Sequence, residues 1–103
     1  MGVGKIATQV AHASVLSADK SRQSDYLTFN KWFESGQAKV VLKVRNFQDL
    51  VALQKSAENL SLLVVFVEDN GPAQINPGVW SCICIGPAPS ILVDKVTRHL
   101  KLL

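Results

Sequence analysis

The run Leu62-Leu63-Val64-Val65-Phe66-Val67 constrains this chain more than any other segment, because none of its residues is polar. A half-buried strand alternates apolar with polar side chains, whereas a strand that is apolar throughout must bury both of its faces. Both faces are covered when helices flank a sheet on each side, which is the α/β layer arrangement. The rest of the chain supplies suitable partners. Trp80-Ser81-Cys82-Ile83-Cys84-Ile85 predicts a further strand, stopped by Gly86-Pro87-Ala88-Pro89, and the β-branched segment Lys39-Val40-Val41-Leu42-Lys43-Val44 predicts another.

Helical segments alternate with these. After the glycine-rich start Met1-Gly2-Val3-Gly4-Lys5, the small and apolar residues from Ile6 to Leu16 suit a closely packed helix, and the polar stretch from Ser17 to Ser24 predicts its end. Tyr26, Leu27, Phe29, Trp32 and Phe33 then recur at helical spacing until Ser35-Gly36. Asn46 is placed to cap a helix whose apolar side is Phe47, Leu50, Val51, Leu53 and Ala57, and Ser90 to cap a last one carrying Leu92, Val93, Val96 and Leu100. The segment between Glu68 and Gly78, with its Pro and Gly residues, reads as irregular.

The expected architecture is therefore α/β: a single small domain over residues 1–103, with a mixed β-sheet and helices on both of its faces. Three strands are few for a sheet covered on both sides, so the chain is one element short, and the glycine-rich start is where that element belongs. At 48% hydrophobic and 18% charged residues, the composition is that of a folding domain and excludes a disordered chain.

Eleven Lys and Arg against eight Asp and Glu leave a formal charge of +3, which permits a polyanionic partner without requiring one. The excess gathers at Lys95, Arg98 and Lys101 and again at Lys39, Lys43 and Arg45. A solvated face is the commoner reason for such clusters. Cys82 and Cys84 are two apart on a strand, too close for a structural disulfide, and no secretory segment accompanies them; a reducing intracellular compartment is the expectation. With only His12 and His99 elsewhere, that pair lacks zinc-ligand spacing, so no metal is expected. No apolar run approaches the roughly 18 residues of a membrane span, which predicts a soluble protein.

Lys5, Gln9 and His12 stand at i, i+4 and i+7, which places them within about 60° on one helical stripe. The stripe reads either as a solvated face or as an active-site wall, with Lys5 near a helix N-terminus whose dipole favours an anion. Gly2-Val3-Gly4-Lys5 lacks the spacing and the Ser or Thr of a phosphate loop, which excludes a nucleotide-hydrolysing motif. Asp69-Asn70-Gly71 follows the most hydrophobic strand, where α/β sheets gather ligands, but it is also ordinary turn chemistry. Gln37 and Gln74 read equally as surface residues, and Trp32 and Trp80 as packing residues or base-stacking platforms. No serine or cysteine nucleophile is paired with a base in the sequence.

Several words taken together resemble the second-type peptidyl-tRNA hydrolases. They are Gly4-Lys5-Ile6-Ala7, Gln9-Val10-Ala11-His12-Ala13, and Gly36-Gln37 ahead of Lys39–Val44; then Asp69, Gly71, Gln74-Ile75, Pro77-Gly78, Ile85-Gly86-Pro87-Ala88-Pro89, Asp94-Lys95-Val96-Thr97 and His99-Leu100-Lys101-Leu102. The resemblance spans the chain and implies an α/β fold with a four-stranded mixed sheet, whose first strand, ahead of the glycine loop, is missing here. It also implies hydrolysis of the ester joining a peptide to tRNA, recycling tRNA from stalled translation without a metal or organic cofactor. By position it implies Lys5, His12, Asp69 and Gln74 as catalytic residues, with Gln9, Gln37, Lys39, Lys43 and Arg98 as substrate contacts. Peptidyl-tRNA is the implied partner, in the cytoplasm or alternatively the mitochondrion, with a homodimer left open. Val3, Pro72 and Ala73 replace a Lys and an Arg-Thr pair of the family pattern. They favour the alternative of a catalytically silent relative that binds tRNA or a protein partner.

Overall fold

The computed structural model describes residues 2–68 and 80–103, with the backbone alone for residues 80 and 81. In chain order the elements are α1 (Val3–Ser24), α2 (Tyr26–Glu34), β1 (Leu42–Lys43), α3 (Phe47–Asn59), β2 (Val64–Glu68), β3 (Trp80–Ile85), α4 (Ser90–Thr97) and β4 (Lys101–Leu102). The alternation of helix and strand is the α/β order expected.

The first helix departs most from expectation. Instead of ending near Leu16, it continues through the polar stretch to Ser24. The reason is a small-residue stripe: Ala13, Ser17 and Ser21 recur every four residues and are each only 2% exposed. Such side chains let a helix lie close against a sheet, and the Ser17 hydroxyl donates to the Gly86 carbonyl across that contact. On the opposite side, Asp19 accepts from Arg22 at 2.7 Å and from Gln23 at 3.1 Å, the i,i+3 and i,i+4 pairs of a solvated helix face. Asp25 then breaks the helix and caps the next, its carboxylate accepting from the Thr28 amide at 3.2 Å and the Thr28 hydroxyl at 2.7 Å.

β2 and β3 form an antiparallel ladder with Val65 opposite Cys84 and Val67 opposite Cys82. Alternation puts Val65, Val67, Cys82 and Cys84 on the face toward α1, where the Cys82 thiol reaches the Gln9 carbonyl at 3.6 Å. Val64, Ile83 and Ile85 point the other way, into a cluster with Leu53 and Ala57 of α3 and Val96 of α4. Helices thus lie on both faces, but the cover is uneven: Val65 and Val67 are buried under α1, whereas Phe66 on the other face is 44% exposed, so the apolar run is not buried on both sides throughout. The Asn46 cap is present, Asn46 Oδ1 accepting from the Asp49 amide at 2.9 Å. Ser90, by contrast, is the first residue of α4 and gives no side-chain cap; Pro89 holds the capping position.

The segment from Lys39 to Val44 pairs over Leu42–Lys43 alone, and its partner is β4, formed where the last helix was expected to continue. Leu100 accordingly lies beyond α4 but still packs on the core. The described strands make two antiparallel ladders, β1–β4 and β2–β3, with no strand among the described residues joining them into one mixed sheet.

Gly86 ends β3 with φ +101°, and a Cβ there would lie 3.2 Å from the Ala88 amide nitrogen. Replacing Gly86 with Ala is expected to cost about 1–3 kcal/mol, since the backbone conformation suits only glycine. A thermal melt of Gly86→Ala that matches the parent would refute this reading.

Candidate active site

α1 runs parallel to β3, and two contacts calibrate the alignment. Ser17 meets Gly86 and Gln9 meets Cys82. Between these points the helix advances about 12 Å and the strand about 13 Å, at roughly 1.5 and 3.3 Å per residue. The two rises match, so the turn of α1 before Gln9 reaches the end of the hairpin where Glu68 pairs with Trp80. Lys5 stands on that turn, close behind the Gly2 N-cap. The α1 N-terminus, the first polar residue of the stripe and the carboxyl end of β2 therefore share one end of the molecule.

Gln9 is half-buried, whereas Lys5 and His12 are exposed. The difference follows from helix geometry: the Lys5–Gln9–His12 stripe flanks the packed stripe of Ala13, Ser17 and Ser21, and Gln9 is angularly nearest to it. The structure keeps all three on one accessible flank of α1. Asp69 and Gln74 lie outside the described residues.

The loop from α2 to β1 holds two further expected residues. Gln37 adopts φ +55°, and its amide donates to the Trp32 carbonyl at 3.0 Å. Lys39 Nζ donates to the Gln37 carbonyl at 2.8 Å and sits 5.3 Å from the centre of the Trp32 ring. The indole N–H donates to the Ala38 carbonyl at 2.9 Å. Trp32 thus organises this loop and holds the Lys39 ammonium by a cation–π contact, a positioning role that spacing did not reveal.

Lys43 and Arg98 come together with Gln9 and Lys39 on the lining of one groove of about 730 Å³, between α1, the 39–44 segment, β3 and α4. Lys5, His12 and Gln37 are not on that lining. Cross-strand register adds a cation that had been assigned no role: Lys101 lies directly opposite Lys43. Like charges in that relation repel, which concentrates positive potential where an anion would be welcome. Only the pairing of two very short strands exposes this, so no periodicity could have shown it.

Cys84 sits beneath α1, and burial pushes its thiol above the ordinary value, with the Ser17 side chain partly opposing that shift. Among the described residues no group of three His, Cys, Asp or Glu side chains is arranged to hold a metal ion. No described helix is long and apolar enough to cross a membrane.

A family model described as Peptidyl-tRNA hydrolase PTH2 matches residues 1–103. The chain belongs to that family. A peptidyl-tRNA hydrolase of Thermococcus onnurineus (strain NA1) is 46% identical over 99 residues, covering 96% of this chain and 84% of the relative. One from Saccharolobus solfataricus (strain ATCC 35092 / DSM 1617 / JCM 11322 / P2) is 41% identical over 109 aligned residues, covering all of this chain and 89% of the relative.

A raised thiol pKa leaves little thiolate near neutrality, and the thiolate is the nucleophile. Cys84 should therefore react with iodoacetamide about an order of magnitude more slowly in the folded protein than in urea. Equal rates, read by mass spectrometry of the labelled peptide, would show that the thiol is not shielded by α1.

Proposed function

We infer that this protein is a peptidyl-tRNA hydrolase, cleaving the ester between a peptide and the 3′-terminal ribose of tRNA so that tRNA stalled in translation is recycled. The observation that carries the reading is the family match along the whole chain. The geometry supports it in two places: a polar stripe begins at the N-terminus of α1, and Lys39, Lys43 and Arg98, against the one carboxylate Asp94, are on the lining of the neighbouring groove.

In this reading Asp69, next in the chain after the end of β2, orients water and takes its proton as the water oxygen adds to the ester carbonyl carbon. The oxyanion that forms is stabilised by Lys5, aided by the positive end of the α1 dipole. Collapse breaks the bond to the ribose 3′ oxygen, which takes up a proton, leaving a peptide carboxylate and a free 3′ hydroxyl. His12 and Gln74 position the substrate, with Gln9 and Gln37 as neutral hydrogen-bonding contacts. As the family resemblance implies, no metal or organic cofactor enters the step.

Lys39, Lys43 and Arg98 contact the tRNA backbone, where cations release counterions and make affinity salt-dependent. Lys101 joins them through its register with Lys43. The archaeal source of the relatives favours a cytoplasmic setting over a mitochondrial one.

Release of N-blocked aminoacyl groups from tRNA tests the activity; a well-folded chain that binds tRNA but releases nothing would leave the silent-relative reading in its place. Lys5→Ala and Asp69→Asn are each expected to lower turnover by about two orders of magnitude while the circular dichroism spectrum is kept. Near-normal turnover in either variant removes that residue from the mechanism. Changing Lys39, Lys43 or Arg98 to Gln should instead weaken tRNA binding and flatten its log–log salt dependence by about 0.7–0.9 per charge removed, with turnover at saturation little changed. An unaltered salt slope would place the tRNA elsewhere.

A further inference from the structure

The chain has two Trp, one Tyr and four Phe, and Tyr26, Phe29, Trp32 and Phe33 all fall within the nine residues of α2. None of these four is buried, whereas the buried apolar side chains among the described residues are all aliphatic. Aromatic side chains carry a large apolar area and ordinarily anchor a core or an interface. Here the densest group of them is displayed instead.

Helical geometry puts the four rings on one stripe about 120° wide. Phe29 is at its centre, 6.2 Å from the Tyr26 ring, 6.2 Å from that of Trp32 and 5.4 Å from that of Phe33, which stacks on it at 29°. Tyr26 and Phe33 stand two turns apart, about 10 Å along the helix. They are 59% and 45% exposed. Thr28 and Asn30 border the stripe with neutral hydrogen-bonding groups, and the charge over its Trp32 end is positive, Lys39 Nζ at 5.3 Å from the ring centre. The carboxylates lie aside from it: Asp25 is engaged by Thr28, and Glu34 is about 80° round the helix from Tyr26.

Flat rings bordered by hydrogen-bonding side chains, with a cation at one end, are what unpaired nucleotides require: the rings stack on bases, the polar groups meet base edges and the cation meets phosphate. We propose that α2 is a base-stacking platform for single-stranded RNA. Tyr26 and Phe33 each take one base on an exposed ring, Asn30 between them bonds to base edges, and Lys39 meets the phosphate backbone that runs off the platform. Phe29 backs both outer rings and holds them in place. The proposal rests on the reading of the substrate as peptidyl-tRNA, whose acceptor end finishes in unpaired nucleotides, and it adds the surface that receives unpaired bases to the cations assigned to the backbone.

The probe is a short single-stranded RNA of cytidine and adenosine, added to the intact 103-residue chain at low salt. Its control is an abasic ribose-phosphate oligomer of the same length, which keeps the charge and removes the bases. The RNA should bind about tenfold more tightly than the abasic oligomer, and the Tyr26 and Phe33 ring protons should shift upfield in NMR spectra with the RNA alone. Tyr26→Leu and Phe33→Leu, at exposed positions where Leu keeps the helix, should each weaken RNA binding by about tenfold and leave the abasic oligomer unaffected, whereas Lys39→Gln should weaken both alike. Absence of RNA binding, equal affinity for the two oligomers, or a preference for bases that survives both Leu variants each overturns the proposal. Ring shifts that appear without RNA and grow with protein concentration would also overturn it, assigning the face to a second copy of the chain. Neither oligomer carries a peptidyl ester, so the assay reads stacking apart from hydrolysis: a chain that stacks RNA but releases no peptide would sink the enzyme reading alone, and one that hydrolyses without stacking would sink the platform alone.

Discussion

The close approach of α1 to the β2–β3 hairpin is the contact on which the rest of the molecule depends. Ala13, Ser17 and Ser21 hold no bulk between helix and sheet, so backbone lies near backbone and the Ser17 hydroxyl can reach the Gly86 carbonyl. A buried serine without a partner would destabilise that contact; here the hydroxyl is satisfied, and no buried side-chain polar atom among the described residues lacks a partner. The same contact fixes the helix along its axis. Since helix and strand rises match between the Ser17 and Gln9 contacts, the position of Lys5 at the hairpin end follows from packing farther along the helix.

What could be read before the structure was what is encoded locally. Asn46 caps α3 because a cap needs only its own side chain and an amide three residues on. The apolar run from Leu62 foretold helices on both faces, but not how complete the cover is: Val65 and Val67 are buried, whereas Phe66 is exposed on the other side. Ser17 to Ser24 was misread for a physical reason: a serine facing water and a serine packed against a sheet are the same letter, and only the four-residue spacing with Ala13 separates them. The pairs Leu42–Leu102 and Lys43–Lys101 were illegible because a two-residue strand has no period. For the site, the Lys5–Gln9–His12 stripe needed one helix and was legible; the convergence of Lys39, Lys43 and Arg98 needed tertiary packing and was carried by resemblance alone.

The division of the strands into two ladders explains the distribution of burial. Among the described residues, the buried apolar side chains are Ala13, Leu53, Ala57, Leu62, Val65, Val67 and Val96, and they gather around the hairpin and the helices on its two faces. β1 and β4 contribute none. Val40 and Leu102 instead stand 69% exposed, and Leu103 61%. Apolar residues beside an open strand edge are an aggregation liability that folded proteins usually cover, and Val40, Leu102 and Leu103 all lie on the lining of the groove between the ladders.

The cationic rim has a comparable logic. Lys43 and Lys101 face each other across β1 and β4, a like-charge pairing that weakens a ladder already limited to two residues per strand. Lys39, Lys43 and Arg98 border the same groove. A polyanion lying along this rim would turn each of these repulsions into an attraction, so its binding and the integrity of the β1–β4 ladder are thermodynamically linked: what binds only the folded rim also stabilises it. The weak ladder is thus where a nucleic-acid backbone would exert the most leverage on the fold, whereas the hairpin under α1, held to the helix through uncharged contacts at Ser17 and Gln9, would be less affected.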